Sequence, residues 1–238
     1  MPSLLGVVAS SVFTPLDLSP TMWFDAADTL SITSSGSPAK VSKWADKSGN
    51  NYHAEQAVSA NQPTTGATTI NGRNVISFNA ASWLVTPSGF NPSTNGITVF
   101  AVAKATDTPG NKQLMAQENL SGTGRTWFLA DGNEAYATVI GATQLTLSSG
   151  TTATVLVRVS CSAGASQTLT LSQNAGAVSA TATRTIESTI GAAVIGASKA
   201  KASPFDGSAA EIVVYPRVLS ATEVNLVETY LNRKWAIY

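Results

Sequence analysis

The sequence predicts an all-β sandwich that ends in one amphipathic helix. Short apolar runs are separated at close intervals by Gly, Asn, Ser and Pro, which is typical of a sandwich or barrel made of short strands. Apolar residues alternate with mostly polar neighbours at Val155, Val157 and Val159, and again at Leu169 and Leu171. A period of two buries one face of a strand and leaves the other face in water. The third observation is a helix signal confined to the end of the chain.

Candidate strands follow from these runs and from their content of Thr, Val and Ile, which suit a pleated sheet. They occupy residues 40–44, 75–78, 97–103, 113–117, 127–130, 135–140, 144–147, 152–160, 167–173, 192–195 and 207–215.

A helix is predicted over residues 220–235. Ser220 and Glu223 form a capping box, in which each side chain can bond a backbone N–H at the helix start. The apolar stripe that follows at helical spacing consists of Val224, Val227, Leu231 and Trp235. We expect this stripe to pack against the sheet and the helix to have a structural role.

The first 20 residues differ from the rest of the chain. Asp17 is their one charged residue, and prolines stand at positions 2, 15 and 20. Such a segment is too broken for a helix and too apolar to remain free in water, so it packs on the domain or docks on a partner. We predict an anchoring arm over 1–20 and one sandwich domain over 21–238. The arm residues expected to contact a partner are Leu4, Leu5, Val7, Val8, Val12 and Phe13.

Composition excludes several classes of function. The chain has 238 residues, with 14 basic and 14 acidic side chains and 12% charged residues, against about 25% in a typical domain. A zero net charge without a basic run argues against nucleic acid and against polybasic membrane docking. No apolar run approaches the ~20 residues of a membrane span. One cysteine, Cys161, and one histidine exclude an intrachain disulfide and a Cys/His zinc site, and the alternating context of Cys161 predicts a buried core position.

Catalytic motifs are absent from the sequence, which predicts a protein that is not an enzyme. Glycoside hydrolysis needs two carboxylates around the scissile bond, but no predicted strand carries two of them at i and i+2. A glycosidase remains an alternative, because carboxylates on different strands can meet in the fold. His53 is the one imidazole, and no Gly-x-Ser-x-Gly elbow accompanies it, so a structural role is expected.

Asp46, Ser48 and Asn50 place oxygen-bearing side chains at alternate positions around Gly49. This spacing fits part of a calcium loop. It equally fits a tight turn in which Asp and Asn cap their own backbone. No carboxylate follows at the position of a bidentate calcium ligand, so the sequence favours the turn and predicts no cofactor, with calcium as the alternative.

Sugar binding would need an aromatic surface with amide and carboxylate groups beside it, because a pyranose has an apolar face and a polar rim. Trp23, Trp44 and Trp235 stand in apolar contexts that predict core positions. Trp83 and Trp127 are therefore the candidates for contact with a carbohydrate.

Several spaced motifs together carry a family resemblance. Residues 20–28 read P-x-x-W-x-D-A-x-D. The segments that follow in order are WADKSGN at 44–50, NGRNVISFN at 71–79 and FDGSAAEIVVY at 205–215, the last one leading into the helix. Over residues 18–238 the chain resembles concanavalin A-like, laminin-G-type jelly-roll domains.

The resemblance implies a concanavalin A-like jelly-roll β-sandwich, a family found in extracellular carbohydrate-binding and adhesion proteins. Where that family binds calcium, Asp46 and Asn50 are the matching positions. A stand-alone chain with a short apolar arm resembles tailed-phage virion proteins. This implies a non-enzymatic virion surface protein, such as a capsid decoration, head fibre or tail component.

That hypothesis carries further expectations. The partners would be a capsid or tail protein, a glycan on the host and other copies of the chain in a homo-oligomer. The protein would be made in the host cytoplasm without a signal peptide and would reside on the virion surface. The alternative is a secreted or surface adhesion module that recognises host polysaccharide.

Overall fold

The computed structural model of the chain describes residues 12–89, 95–106, 111–118, 125–132, 135–140, 143–148, 153–163, 167–176, 180–184, 191–198, 200–201 and 203–238. Within these residues the strands form an antiparallel sheet that folds over into two layers, followed by one α-helix. The predicted all-β jelly roll with a C-terminal helix is therefore confirmed.

The described strands are, in chain order, β1 (Met22–Asp25), β2 (Ile32–Ser35), β3 (Ala39–Trp44), β4 (Ala54–Glu55), β5 (Thr64–Ile70), β6 (Arg73–Asn79), β7 (Leu84–Val85), β8 (Ile97–Ala105), β9 (Asn111–Glu118), β10 (Arg125–Gly132), β11 (Ala135–Ile140), β12 (Thr143–Ser148), β13 (Val155–Cys161), β14 (Gln167–Gln173), β15 (Ala180–Arg184), β16 (Ala193–Ile195) and β17 (Asp206–Tyr215). The helix α1 spans Ala221–Trp235. Three 3-10 turns occupy Pro15–Leu18, Thr29–Ser31 and Ser59–Asn61.

The first layer is built around β17. This strand pairs with β8 on one side and with β1 and β6 on the other. Beyond β8, the layer continues with β13, β14 and β15. The second layer runs in the order β2, β3, β4, β7, β16, β9, β10, β11 and β12. Strand β5 joins the layers because it pairs with both β3 and β6.

Two apolar cores follow from the alternation of the strands. Alternate residues of β17, such as Ile212 and Val214, point between the layers, where they meet Trp44 and Phe24. The intervening residues point to the outer face, where Val213 joins a second core. That second core is covered by α1, so β17 is buried on both faces, as a central strand with a continuous apolar run should be.

The helix prediction is confirmed. Ser220 is the N-cap and forms the capping box with Glu223, and the helix begins at the next residue. Val227, Leu231 and Trp235 are buried against the outer face of β17 and β8. The helix thus uses its apolar stripe as predicted.

The described strands of six residues or more match the predictions within a few residues at either end, with the exception of β5. Residues 135–140 and 167–173 are strands with the predicted bounds, and Cys161 is buried at the end of β13. The predicted strand 152–160 begins later, at Val155. Strands β1, β2, β4, β5, β7 and β15 were not predicted from the sequence. β4 and β7 have two residues each, too few for alternation, and β5 contains a glycine among small polar residues.

Gly196 lies just after β16, where the backbone passes close to the buried Phe78 side chain. It has a φ of +91°, and a β-carbon there would overlap the Phe78 ring and lie 2.9 Å from the Ser82 carbonyl oxygen. Only glycine fits this position without displacement of its neighbours.

Candidate functional site

The tryptophans divide into buried and accessible groups. Trp23, Trp44 and Trp235 are buried, which confirms their predicted core positions. Trp83 is partly exposed. Trp127 lies in β10, where it pairs with Gln117 of β9, but its side chain is outside the described part of the structure. Trp83 is therefore the one tryptophan with a described side chain that can contact a ligand at the surface.

Trp83 is held at the surface by backbone contacts on both sides. Its N–H donates to the Asn61 carbonyl at 3.0 Å. Its own carbonyl accepts a bond from the Gln56 amide nitrogen at 3.4 Å. Gln56 is fixed in turn, because its side-chain oxygen accepts the Val58 N–H at 3.0 Å and its backbone carbonyl accepts the amide of the buried Gln62 at 2.7 Å.

A depression of about 550 Å³, with both polar and apolar lining, lies beside this arrangement. We call it the β3–β4 depression; it is lined by Thr33, Ser42, Lys43, Glu55, Gln56 and Ala57. It therefore offers hydroxyl, ammonium, carboxylate and amide groups within one concave surface. Gln56 lines the depression, and its side-chain amide donates to the Trp83 backbone carbonyl, so the backbone of Trp83 lies next to the depression.

Sequence reasoning identified Trp83 but missed the polar residues of the depression. Lys43 and Glu55 meet because β3 and β4 pair with these two residues in register. Their side chains form an ion pair of 3.5 Å that is largely exposed to solvent. Nothing in the local sequence signals this register, because β4 is only two residues long.

Asp46 organises the loop that the sequence singled out. Its Oδ1 accepts the N–H groups of Trp23 and Ser48, each at 2.9 Å. Its Oδ2 accepts the Ser48 hydroxyl at 2.7 Å and the Tyr52 N–H at 3.0 Å. Four protein donors thus occupy the buried carboxylate, which uses the lone pairs that a calcium ion would need.

The rest of the loop is directed at β1 and the residues before it. The Ser48 hydroxyl donates to the Thr21 carbonyl at 3.0 Å, and the Asn50 amide donates to the Pro20 carbonyl at 3.1 Å. His53 accepts the Asp46 N–H through Nδ1 at 3.1 Å. Among the described residues, no group of three or more His, Cys, Asp and Glu side chains could hold a metal ion. The hydrogen bonds of the loop are those of a structural turn, in which His53 accepts the Asp46 N–H.

A buried charged cluster lies between β17 and α1, and sequence reasoning did not predict it. Glu211 of β17 is fully buried. Its Oε1 accepts the Trp23 indole N–H at 2.8 Å and the Tyr230 hydroxyl at 3.0 Å. Its Oε2 accepts the Trp235 indole N–H at 2.7 Å and lies 2.7 Å from the Lys234 ammonium.

Asp25 extends this cluster to a second ammonium. Lys234 Nζ lies 2.6 Å from Asp25 Oδ1, and Lys47 Nζ lies 3.1 Å from Asp25 Oδ2. Lys47 also lies 2.7 Å from Asp28 and 4.5 Å from the centre of the Trp23 ring. Two lysines and three carboxylates thus connect the β1 region, β17 and the end of α1.

The surroundings shift the pKa values in opposite directions. Burial raises the pKa of Glu211, and the Asp25 charge raises it further, against the opposing effect of Lys234. Burial alone would lower the pKa of Lys47, but its bonds to Asp28 and Asp25 outweigh burial and raise it. The bond from Lys47 lowers the pKa of Asp28. Burial, followed by the charge of Glu211, raises the pKa of the Tyr230 hydroxyl.

Asp25 and Glu211 are two carboxylates that different strands bring together, as the glycosidase alternative required. They are paired residues of β1 and β17. Both bind the same ammonium, and their exposed fractions are 5% and 0%. Because α1 covers them, they have no room for a glycosidic bond, and their arrangement is that of an ion network within the core.

The described part of the predicted arm is fixed to the domain. Phe13 packs edge-on against Tyr230 with ring centres 6.3 Å apart. The Tyr215 hydroxyl donates to the Pro15 carbonyl at 3.3 Å. Val12 is 79% exposed. The other predicted arm residues, Leu4, Leu5, Val7 and Val8, lie outside the described residues.

A family model described as the concanavalin A-like lectin/glucanases superfamily matches residues 78–225, which is more than half of the chain. The chain belongs to this superfamily, and its fold is lectin-like.

Comparison with solved structures shows the same fold at low identity. A Trypanosoma rangeli sialidase in complex with sialic acid has 16% identity and a TM-score of 0.63, over 94% of this chain and 34% of the sialidase. An arabinofuranosidase complexed with arabinofuranosyl-alpha-1,2-xylobiose has 13% identity and a TM-score of 0.63, over 80% of this chain and 50% of the enzyme. The receptor binding domain of botulinum neurotoxin C/D mosaic serotype has 12% identity and a TM-score of 0.61, over 90% of this chain and 52% of that domain.

The chain thus spans about half or less of the solved chains that it resembles. No match was found among curated proteins. Among the described residues, no helix has the length and apolar character needed to cross a membrane.

Proposed function

We propose that this chain is a non-enzymatic module that binds carbohydrate through Trp83 and the β3–β4 depression. One observation carries the proposal: the backbone carbonyl of the partly exposed Trp83 accepts a bond from Gln56, which itself lines the depression. The lectin-like fold is consistent with this function.

The chemistry of the depression matches that of a sugar. An indole ring packs against the apolar C–H face of a pyranose, while hydroxyl groups need donors and acceptors at the ring edge. Glu55 supplies acceptors, Lys43 supplies donors and Gln56 supplies both. The Lys43–Glu55 pair is exposed enough to exchange its mutual contact for sugar hydroxyls at low cost.

One further observation supports the non-enzymatic part of the proposal, and a second one supports sugar binding. The described carboxylates that come closest to a catalytic pair, Asp25 and Glu211, are buried beneath α1 and bound to Lys234. The structures that share the fold include a sialidase with sialic acid and an arabinofuranosidase with an arabinofuranosyl-xylobiose. From these structures we infer for this chain the binding of sugars, and we do not infer hydrolysis.

A glycan array of plant, bacterial and animal polysaccharides tests the proposal, with and without calcium. The variants are Trp83→Ala, Gln56→Ala and Trp83→Phe, with Tyr238→Ala as the control because Tyr238 is an exposed aromatic residue at the chain end. We expect binding by the wild type that Trp83→Ala and Gln56→Ala weaken by about tenfold or more, the loss of one good contact. Trp83→Phe should retain part of the binding and Tyr238→Ala all of it.

Two results would contradict this proposal. The first is a flat array for the wild type at high protein concentration under both conditions. The second is binding that Trp83→Ala leaves unchanged while its Tm equals that of the wild type. Release of reducing ends from any bound polysaccharide would overturn the non-enzymatic assignment.

A second candidate concerns where the module resides. We propose display on a virion surface, with residues 1–20 as the attachment to a capsid or tail protein. One observation favours it: Phe13 and Pro15 are fixed to the domain, whereas Val12 just before them is largely exposed. A segment held in this way would fix the point on the domain from which the preceding apolar residues contact a partner.

Quantitative mass spectrometry of purified particles, before and after a high-salt wash, tests the location. Many stoichiometric copies that survive the wash are expected for an apolar attachment. A full-length variant with Leu4→Asp and Leu5→Asp should then be absent from particles. Absence of the wild-type chain from particles, or attachment that the variant retains, would contradict this candidate.

A further inference from the structure

A second concave surface runs along the exposed side of α1. We call it the α1 groove; it has a volume of about 460 Å³. Its apolar residues are Val12, Phe13, Leu226 and Tyr230, and its cationic residues include Arg73 and Arg233. Val12 and Leu226 are 79% and 39% exposed, so apolar side chains face water here. The groove is separate from Trp83 and the β3–β4 depression.

The charge of the α1 groove has one sign. Among the described residues, no acidic side chain lines it. Arg73 Nε donates to the Lys234 carbonyl at 2.9 Å, which orients the guanidinium and leaves both Nη atoms without a partner among the described residues. Arg233 is exposed and forms no ion pair within the described part of the chain. The Lys234 ammonium is already bound to Asp25 and Glu211.

We propose that the α1 groove binds a peptide segment of a partner protein that combines apolar side chains with carboxylates. Apolar side chains would cover Leu226 and Tyr230, which removes exposed apolar surface from water. Carboxylates would bond the two guanidinium groups, whose planar donors suit bidentate contact. The chain's own residues 1–11 contain no acidic residue, so they cannot supply this charge complement.

Fluorescence anisotropy with two labelled peptides tests the proposal on the full chain. One peptide alternates leucine and glutamate, and the other alternates leucine and lysine. We expect the leucine–glutamate peptide to bind, the leucine–lysine peptide not to bind, and the affinity to fall with salt because charges contribute. The double variant Arg73→Gln with Arg233→Gln should weaken binding by about tenfold or more, and Leu226→Asp should do the same.

Lys104→Gln is the matched control, because Lys104 is an exposed cation of β8 that lines neither the α1 groove nor the β3–β4 depression, and it should bind as the wild type does. Equal binding of the two peptides, or no binding of either, would overturn the proposal. Binding that appears only after Leu4→Ser and Leu5→Ser would assign the groove to the chain's own N-terminal segment and would also overturn it. So would a dimer in sedimentation experiments that Leu226→Asp dissociates, since the occupant would then be a second copy.

Discussion

Lys234, near the end of α1, places its ammonium 2.7 Å from the fully buried carboxylate of Glu211 in β17. The same ammonium binds Asp25 of β1 at 2.6 Å. One side chain therefore ties the helix to two neighbouring strands. The attraction within a buried ion pair adds little net stability, because both charges lose their solvation on burial. Removal of one partner costs much more, because the remaining charge is then buried without a partner or solvent.

Replacement of Lys234 by Met should strongly destabilise the protein. Asp25 and Glu211 would then face each other without their shared cation, and we expect the free energy of unfolding to fall by about 3–5 kcal/mol. Urea unfolding followed by circular dichroism measures this change. Lys43→Met is the control, because the exposed Lys43–Glu55 pair should contribute less than about 1 kcal/mol. A loss in Lys234→Met as small as that of the control would contradict the structural role of the cluster.

Glu223 should make the stability depend on pH in the acid range. The bonds from Arg217, together with those from Ser220, lower its pKa from 4.5 to about 2. Because the pKa is lower in the folded state, the stabilisation is complete above pH 4.5 and is lost as the pH falls towards 2. The Tm difference between the wild type and Glu223→Gln should therefore shrink over this window. A difference that stays constant with pH would show that the Arg217 pair is not its source.

Asp46 should be needed for the loop and not for calcium. Asp46→Asn replaces an acceptor with a donor next to N–H and O–H groups that already point at it, so at least one buried donor loses its partner. We expect a loss of about 1–3 kcal/mol in the free energy of unfolding. Millimolar calcium should leave the Tm of the wild type unchanged. A calcium-dependent rise in Tm that Asp46→Asn abolishes would instead identify a calcium site.

Gly196 and Gly49 provide a matched pair for the close approach to Phe78. Both have φ near +90°, at +91° and +90°, but a β-carbon at Gly49 meets nothing within 4 Å. Gly49→Ala should cost about 1–2 kcal/mol, which is the strain of a left-handed alanine. Gly196→Ala should cost about 1–3 kcal/mol more, as overpacked cores do. Equal losses of stability in the two variants would contradict the packing of Phe78 on the Gly196 backbone.

The parts of the fold that the sequence predicted are those decided by local pattern. The stripe of α1, the burial of Trp44 and the core position of Cys161 follow from periodicity and neighbours, and all are confirmed. The two-residue strands β4 and β7 were missed because they exist only through their pairing with other strands.

The sequence predicted the aromatic residue of the candidate site but did not predict its polar residues. Trp83 was identified because its sequence context lacks the apolar pattern of a core position. Glu55 and Lys43 become neighbours through strand register, and Asp25 reaches Glu211 through the pairing of β1 with β17. Such long-range register depends on the whole fold, which local pattern does not contain. Attachment to a virion and the contact of Trp127 with sugar stay predictions.

The central position of β17 also determines when the protein can fold during synthesis. β1 is the first described strand and pairs with β17, where Met22 lies opposite Val214. β6 and β8 depend on the same strand. A nascent chain that has not yet reached residue 206 therefore holds three strands whose shared partner is still missing, and the helix that covers their outer face comes later still. Folding of this layer must await the synthesis of β17, and until then its apolar strands are open to chaperones and to aggregation.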